Sequence, residues 1–510
     1  PFQLHGGVGT LQGMASVSHN AVDIELFLTS DKADMGLRDY RFYSNLDAAL
    51  ILNNPSTVTH NTSIAGSYIK LSDSQLTQQG GKQAPPWNAS FVINDGNFSV
   101  LPEDQKQDKE RLKDLLQVLG QSDSKQMLAN LRGFMAFESE VSSLAWIGIL
   151  LNDDYHTSVG GDGQVTGVVH LADGRPAPGT DIEVLSDSLA VDILDYTSHG
   201  DGRISMRVDE GDLGPDLSLE ISLRDADLMR QNEFENAAYI QHVDLNVSAL
   251  IEDLSLDKTE NKTSLGLKIL SARVTDMSIF SSYLPADSPL QFTNGTAALS
   301  ADILLQKDDA RGWVNLESKD LELSADEQSI RADLSANIQL VGGVPAEMTF
   351  DISGSQVNMT EVQVIGEHER FSEEDWSAQF TLVRGETTWK KPLRLNAEAT
   401  LNIVDSRPVV AMFNNKKERP RWLLDILTIK DIVGVAEVEI ADQQIVIPLA
   451  HAISDQLEVG AKARISEQRR DGVIYARYKK LDAVIKMYDG DRNTDIIRAR
   501  EKYDSYPIAE

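Results

Sequence analysis

At 510 residues the chain is long enough for several compact domains, and its formal charge of −32, from 79 acidic against 47 basic side chains, repels phosphate backbones and anionic lipid headgroups over most of its surface and argues against nucleic acid. The absence of cysteine excludes disulfides, thiolate metal sites and cysteine nucleophiles. Aromatic residues make up 6% against a hydrophobic fraction of 41%, a balance that suits many thin β-units better than one thick core.

In chain order, the first signal is alternation. Val22, Ile24, Leu26 and Leu28 take every second position, which in an extended chain sends them to one face. Gly66-Ser67 then precedes Trp87, Ala89, Phe91 and Gly96, with Asp95-Gly96 reading as a hairpin turn. Pro102 to Leu119 predicts an amphipathic helix, with Leu112, Leu115, Leu116 and Leu119 on one side and Asp104, Asp108 and Glu110 near its start; Gln126 to Leu131 continues it. No window approaches the roughly 18 consecutive apolar residues of a membrane-spanning helix, and the nearest is Leu144 to Leu151.

The chain then begins again. Gly160-Gly161-Asp162-Gly163 with Gly167 repeats the spacing of Gly6-Gly7-Val8-Gly9 with Gly13, opening a diverged unit that lacks the tryptophan. A clearer copy opens at Gly295-Thr296, matched to Gly9-Thr10, and runs through Leu299, Ala301, Ile303 and Leu305. It continues to Gly354-Ser355, Trp376, Ala378, Phe380 and Gly385. Gly66 and Trp87 are 21 residues apart, Gly354 and Trp376 are 22 apart, and the later spacings are identical. Repetition of this kind marks an architecture that grows by adding units, each burying its apolar face against neighbours.

The strands of the third unit are long. Ile330, Ala332, Leu334, Ala336, Ile338 and Leu340 alternate with polar residues, as do Leu393, Leu395, Ala397, Ala399, Leu401 and Ile403. Eleven residues at about 3.3 Å each span roughly 35 Å. A long antiparallel sheet with one apolar face must fold over, pack on another sheet or hold an apolar ligand. Beyond it, Pro420 to Ile432 predicts a second amphipathic helix after the basic cluster Lys416, Lys417, Arg419 and Arg421. Strands Val433 to Ile440 and Ile445 to Leu449 and a helix over Asn493 to Lys502 complete the elements. From Ala461 onward there are 12 basic and 9 acidic residues, so the tail is basic while the body is acidic.

No motif carries chemistry. Gly7-Val8-Gly9 with Gly13 is one residue too long for a dinucleotide loop and leads into a strand. Gly80-Gly81-Lys82 lacks the upstream glycine of a phosphate loop, and no Gly-x-Ser-x-Gly elbow exists. The nine histidines form no zinc-binding spacing. Asp489, Asp491, Asn493 and Asp495 start like a calcium loop, but Thr494 and Arg500 stand where glycine and glutamate belong. No catalytic residue, cofactor site or metal site is assigned, and the expectation is that the protein is not an enzyme.

The chain resembles the AsmA-like family of bacterial envelope proteins, relatives of TamB. The likeness lies in Leu4-His5-Gly6-Gly7-Val8-Gly9, in Trp87-Asn88-Ala89-Ser90-Phe91 with its echo Trp376-Ser377-Ala378-Gln379-Phe380, and in strands such as Ile330 to Leu340. The resemblance covers residues 1 to 415. It implies a mainly β fold: an elongated, curved, taco-like antiparallel β-groove of repeated units with a few short helices. It further implies a periplasmic protein, held in the inner membrane by an N-terminal helix that this chain lacks, in a family implicated in moving phospholipid toward the outer membrane.

On this reading the chain divides into a β-groove unit at 1–101, a helical insertion at 102–135, a diverged unit at 136–290, a third unit at 291–415, and a C-terminal helix and strand segment at 416–510. Ile330, Leu334, Ile338, Leu340, Phe380, Leu382, Leu395 and Leu401 are the expected groove lining. The expected partner is phospholipid or another acyl lipid, with an envelope membrane or protein at the C-terminal segment. The competing expectation is a structural or adhesive β-repeat protein with a closed core and no lipid.

Overall fold

A computed structural model describes residues 2–17, 21–37, 40–55, 62–78, 83–99, 131–150, 157–173, 175–212, 214–230, 240–252, 263–285, 288, 290–306, 309–325, 328–365, 370–372, 376–407, 430–441, 443–466, 469–488 and 491–508. The fold is mainly antiparallel β, as the alternation predicts. The chain forms two compact units: Pro1–Phe234 with Asp244–Leu265, and Glu235–Val243 with Gly266–Glu510.

In the first unit the strands Phe2–Val17, Ala21–Leu37, Tyr40–Pro55, Tyr68–Gln78, Trp87–Ser99, Arg132–Val141, Gly163–Ala172, Asp181–Ile193, Tyr196–Glu210 and Pro215–Arg230 each pair antiparallel with the next. In the second unit the same meander runs through Leu290–Gln306, Asp309–Ala325, Gln328–Leu340, Gln356–Ile365, Ser377–Thr388 and Arg394–Asp405. It continues without a break through Lys430–Ala441, Gln444–Ile453, Leu457–Ser466, Arg469–Tyr478, Leu481–Tyr488 and Asp491–Asp495.

The repeat seen in the sequence is a repeat of backbone chemistry. Gly66 and Gly354 have φ of 87° and 84°, a left-handed conformation that glycine adopts without Cβ strain. Gly66 N–H donates to Ile93 O at 2.9 Å, and Gly354 N–H donates to Leu382 O at 2.7 Å. The serines that follow repeat a second pair of contacts, Ile51 N–H donating to Ser67 Oγ at 2.9 Å and Gln339 N–H to Ser355 Oγ at 3.0 Å. Each hydroxyl therefore stitches the turn to the preceding long strand.

Bulges recur at matching places. Lys32 and Asp320 have φ of 55° and 53° and each adds one residue to its strand, between Ser30 and Ala33 and between Ser318 and Leu321. Lys32 N–H donates to Asn45 Oδ1 at 3.0 Å, and Asp320 N–H donates to Asp333 Oδ1 at 2.9 Å. The device appears again at Asp73, whose N–H donates to Asn88 Oδ1 at 2.9 Å. Such bulges bend a strand and raise its twist, and an Asn or Asp on the next strand satisfies the N–H that leaves the ladder.

Several expectations need correction. The opening glycines that correspond are Gly7 and Gly295, with φ of 125° and 129°, not Gly9 and Gly295; each then stands 59 residues before its Gly-Ser pair. Arg132 already belongs to the strand that closes the first copy, so the 102–135 insertion is too long by at least four residues. The 416–510 segment is no separate piece, because Lys430–Ala441 pairs with Arg394–Asp405. Ile432 lies in that strand instead of ending a helix, and Asn493 and Thr494 lie in the strand Asp491–Asp495; the last helix is Ala499–Asp504. The helix expected over Pro102–Leu119 and Gln126–Leu131, and the remainder of that over Pro420–Ile432, lie outside the described residues apart from Leu131.

Candidate functional site

Register turns the alternation of each strand into rows that cross the sheet. In the second unit one row reads Leu299, Leu316, Ala336, Val357, Phe380, Leu401, Gly434, Ala452, Val459, Ala476 and Ala483, eleven strands without a polar residue. Beside it runs Leu382, Ala399, Ala436, Ala450, Ala461, Ile474 and Ile485. Most of these side chains are half-buried. In the first unit the corresponding row is Leu11, Leu28, Ala48, Ile69, Phe91, Ser139, Val165, Val184, Ile204 and Ile221.

Cover over the apolar face is graded. In the first unit Leu11 is 66% exposed and Ile69 40%, whereas Val184, Ile204 and Ile221 are at 1% or less. At one end of the face in the first copy, Trp87 is buried with its ring centroid 6.0 Å from those of Phe42 and Trp146, beside the helix Ala145–Leu150. In the second unit Trp376 is buried and its Nε1–H donates to the Asp405 carbonyl at 2.9 Å. Leu321, Leu323, Ala332, Val362 and Val364 are buried at that same end. The 3-10 turn Met277–Tyr283 adds Met277, which packs with Leu321 over Gly295; its Tyr283 stacks at 4.8 Å on Trp389, which lies past the other end of the strand Ser377–Thr388 from Trp376.

The eight expected lining residues fall in the second unit. Ile330, Leu334, Ile338 and Leu340 share one face of Gln328–Leu340; Phe380 and Leu382 continue it on Ser377–Thr388, and Leu395 and Leu401 on Arg394–Asp405. Ile330 is buried at the tryptophan end, and the other seven are half-buried along the strands. Sequence reading did not assign the C-terminal strands to this face. Their signal was the alternation of Ala436, Val438 and Ile440 with Glu437 and Glu439, muted because alanine and glycine carry much of it.

The opposite face is polar. Arg384 Nη2 lies 2.6 Å from Glu398 Oε2, with Glu386, Glu437 and Glu439 lining the same cleft. Near the C-terminus the helix Ala499–Asp504 covers this face, burying Tyr503 with Val473, Tyr475 and Val484. Glu458 there meets His451 Nε2 at 3.1 Å, Arg500 Nη1 at 2.6 Å and the Arg477 guanidinium. The His451 hydrogen bond, with Arg500 and Arg477 beside it, holds the Glu458 carboxyl below its ordinary range against the opposing effect of burial. These groups tie the helix to the sheet.

Among the described residues no cluster of three or more His, Asp or Glu side chains is arranged to hold a metal, and no helix is long and apolar enough to cross a membrane. The chain matches no protein-family model, no curated protein and no solved structure.

Proposed function

We propose that the protein is a non-enzymatic lipid-binding or lipid-transfer protein of the bacterial envelope, of the AsmA-like type, that shields acyl chains along the apolar face of its sheets. The observation that supports this reading is the eleven-strand apolar row of the second unit, whose side chains are only partly covered. Transfer of an acyl chain through water costs about 0.8 kcal/mol per methylene, roughly 12 kcal/mol for sixteen carbons. A row of aliphatic side chains lowers that barrier and needs no catalytic group. The charged opposite face keeps the sheet hydrated and discourages edge pairing. A periplasmic location and an inner-membrane anchor belong to the same proposal.

Photocrosslinking tests it. A benzophenone at Phe380 or Leu401 is expected to capture phospholipid, and one at Gln379 or Asn402, on the other face, is not. Equal labelling of both pairs, or none at either, sinks the reading. The second reading is a structural β-repeat protein, favoured by the closed core around Val184, Ile204 and Ile221; protein free of lipid on organic extraction supports it.

A further inference from the structure

One end of the C-terminal sheet carries an unusual surface. Arg469–Tyr478 and Leu481–Tyr488 are joined by a turn at Lys479 and Lys480, and Leu481 stands 78% exposed just after it. Asp495 pairs with Val484, so the segment that follows it leaves the sheet alongside the same turn. In that segment Ile496 and Ile497 are 71% and 69% exposed. A third chain section is held there too: Lys479 N–H donates to Gln456 O, and Tyr478 Oη–H donates to Gln456 Oε1, both at 3.0 Å. Ile453, 51% exposed, precedes that turn.

Leu481, Ile496 and Ile497 thus protrude at this end, flanked by Lys479, Lys480 and Arg498, whereas Ile453, paired with Glu458, lies on the opposite face. Hydration disfavours such a cluster, and a soluble surface rarely gathers one without a partner. Its charge is as distinctive as its apolarity. The exposed basic side chains beside them are Lys479 and Lys480 at the turn and Arg498, in a chain whose net charge is −32, while Arg500 and Lys502 are held by Glu458, Asp504 and Asp495. One of those acids, Asp495, is engaged by Lys502 and also accepts the Ile497 N–H at 3.0 Å. Protruding aliphatic residues beside exposed lysines are the chemistry of an interfacial membrane contact, where the aliphatic groups enter the headgroup boundary and lysine stems reach back to anionic lipid.

We infer that this tip docks on an anionic phospholipid bilayer. The inference rests on the lipid-transfer reading and deepens it. Leu481 lies on the same face as Ala483 and Ile485, which end the two apolar rows, so the docked tip would bring the end of those rows to the bilayer. Charge complementarity selects the occupant: the exposed Lys479, Lys480 and Arg498 stand next to the protruding aliphatic side chains on an otherwise acidic chain.

The test is flotation of the full chain with vesicles of phosphatidylcholine containing phosphatidylglycerol, against pure phosphatidylcholine. Wild type is expected to float with the anionic vesicles. Leu481→Asp combined with Ile496→Asp and Ile497→Asp is expected to lower the bound fraction at least tenfold with an unchanged melting profile, since all three side chains are exposed. Lys479→Glu with Lys480→Glu is expected to weaken binding most at low salt. Lipid crosslinking at Phe380 should survive in both variants, which separates failure of docking from failure of the lipid-binding reading. Equal flotation of wild type and the triple variant overturns the proposal, as does equal binding to pure phosphatidylcholine. A dimer abolished by the same substitutions, with no vesicle binding, would assign the tip to a second copy of the chain and also overturn it.

Discussion

Trp87 and Trp376 hold matching places in the two clear copies, yet their polar atoms are treated differently. Trp376 donates its indole N–H to the Asp405 carbonyl, whereas the buried Trp87 Nε1 has no hydrogen-bond partner among the described residues and its ring sits against Phe42 and Trp146. The openings differ as well. Val17 is 73% exposed while its counterpart Leu305 is 2% exposed, although Gly7 and Gly295 adopt the same conformation. The repeat preserves backbone hydrogen bonds and side-chain volume; the means of covering the apolar face is local to each copy.

The largest effect expected from breaking this comparison is loss of either ring. Trp87→Ala and Trp376→Ala should each cost about 3–5 kcal/mol, because each removes a large buried side chain from a packed end. Urea unfolding followed by circular dichroism reads the loss. If either change is silent, that tryptophan does not seal its copy.

Subtler substitutions sharpen the contrast. Trp376→Phe keeps most of the apolar volume but strands the Asp405 carbonyl, for an expected cost of about 1–3 kcal/mol. Trp87→Phe removes an N–H that already lacks a partner, so its cost should be smaller. A reversed order in the unfolding midpoints would mean that the indole hydrogen bond is not what distinguishes the copies.

The Gly-Ser turns should instead respond alike. An alanine at Gly354 meets no atom within 4 Å, and at Gly66 the nearest is Ile51 Cδ1 at 3.5 Å, so both changes act through the left-handed backbone alone. Gly66→Ala and Gly354→Ala are each expected to cost about 1–2 kcal/mol. Costs differing by more than the experimental error would show that the backbone equivalence is only geometric.

The period-2 pattern in Ile330 to Leu340 was legible because aliphatic residues alternate with polar ones over the whole strand. The Gly-Ser turns were legible because glycine marks a backbone position with φ above zero. The bulges were not. At Lys32, Asp320 and Glu361 the left-handed residue is not glycine, and its stabilising partner, where described, lies on the following strand. Nor was the apolar face of the C-terminal strands visible, since Gly434, Ala452, Ala476 and Ala483 announce it only once register aligns them with Phe380 and Leu401. Asn493 and Thr494 read as helix because the helix lies so near, but pairing with Lys486 and Ile485 keeps them extended, and Asp495 accepts the Ile497 N–H just before the helix.

The smallest expected effect concerns acids at matching places on the polar face, Asp34 and Glu322, each paired with an arginine of the next strand although the two arginines do not correspond. Asp34 accepts from Arg41 at 2.9 and 2.6 Å, and Glu322, its counterpart, accepts from Arg331 at 2.7 Å. The hydrogen bond from Arg41 lowers the Asp34 pKa, and that from Arg331 lowers the Glu322 pKa, each below its ordinary value. A carboxyl whose folded pKa is depressed contributes stability that is present above the unfolded value and lost as pH falls through the folded one. The difference in unfolding midpoint between wild type and Glu322→Gln should therefore be present at neutral pH and shrink below the ordinary carboxylate range, with Asp34→Asn following the same course. Solvent screening keeps both effects small. A difference that grows on acidification would mean the carboxyl is stabilised in its protonated form, and the pairing assigned to these two positions would fail.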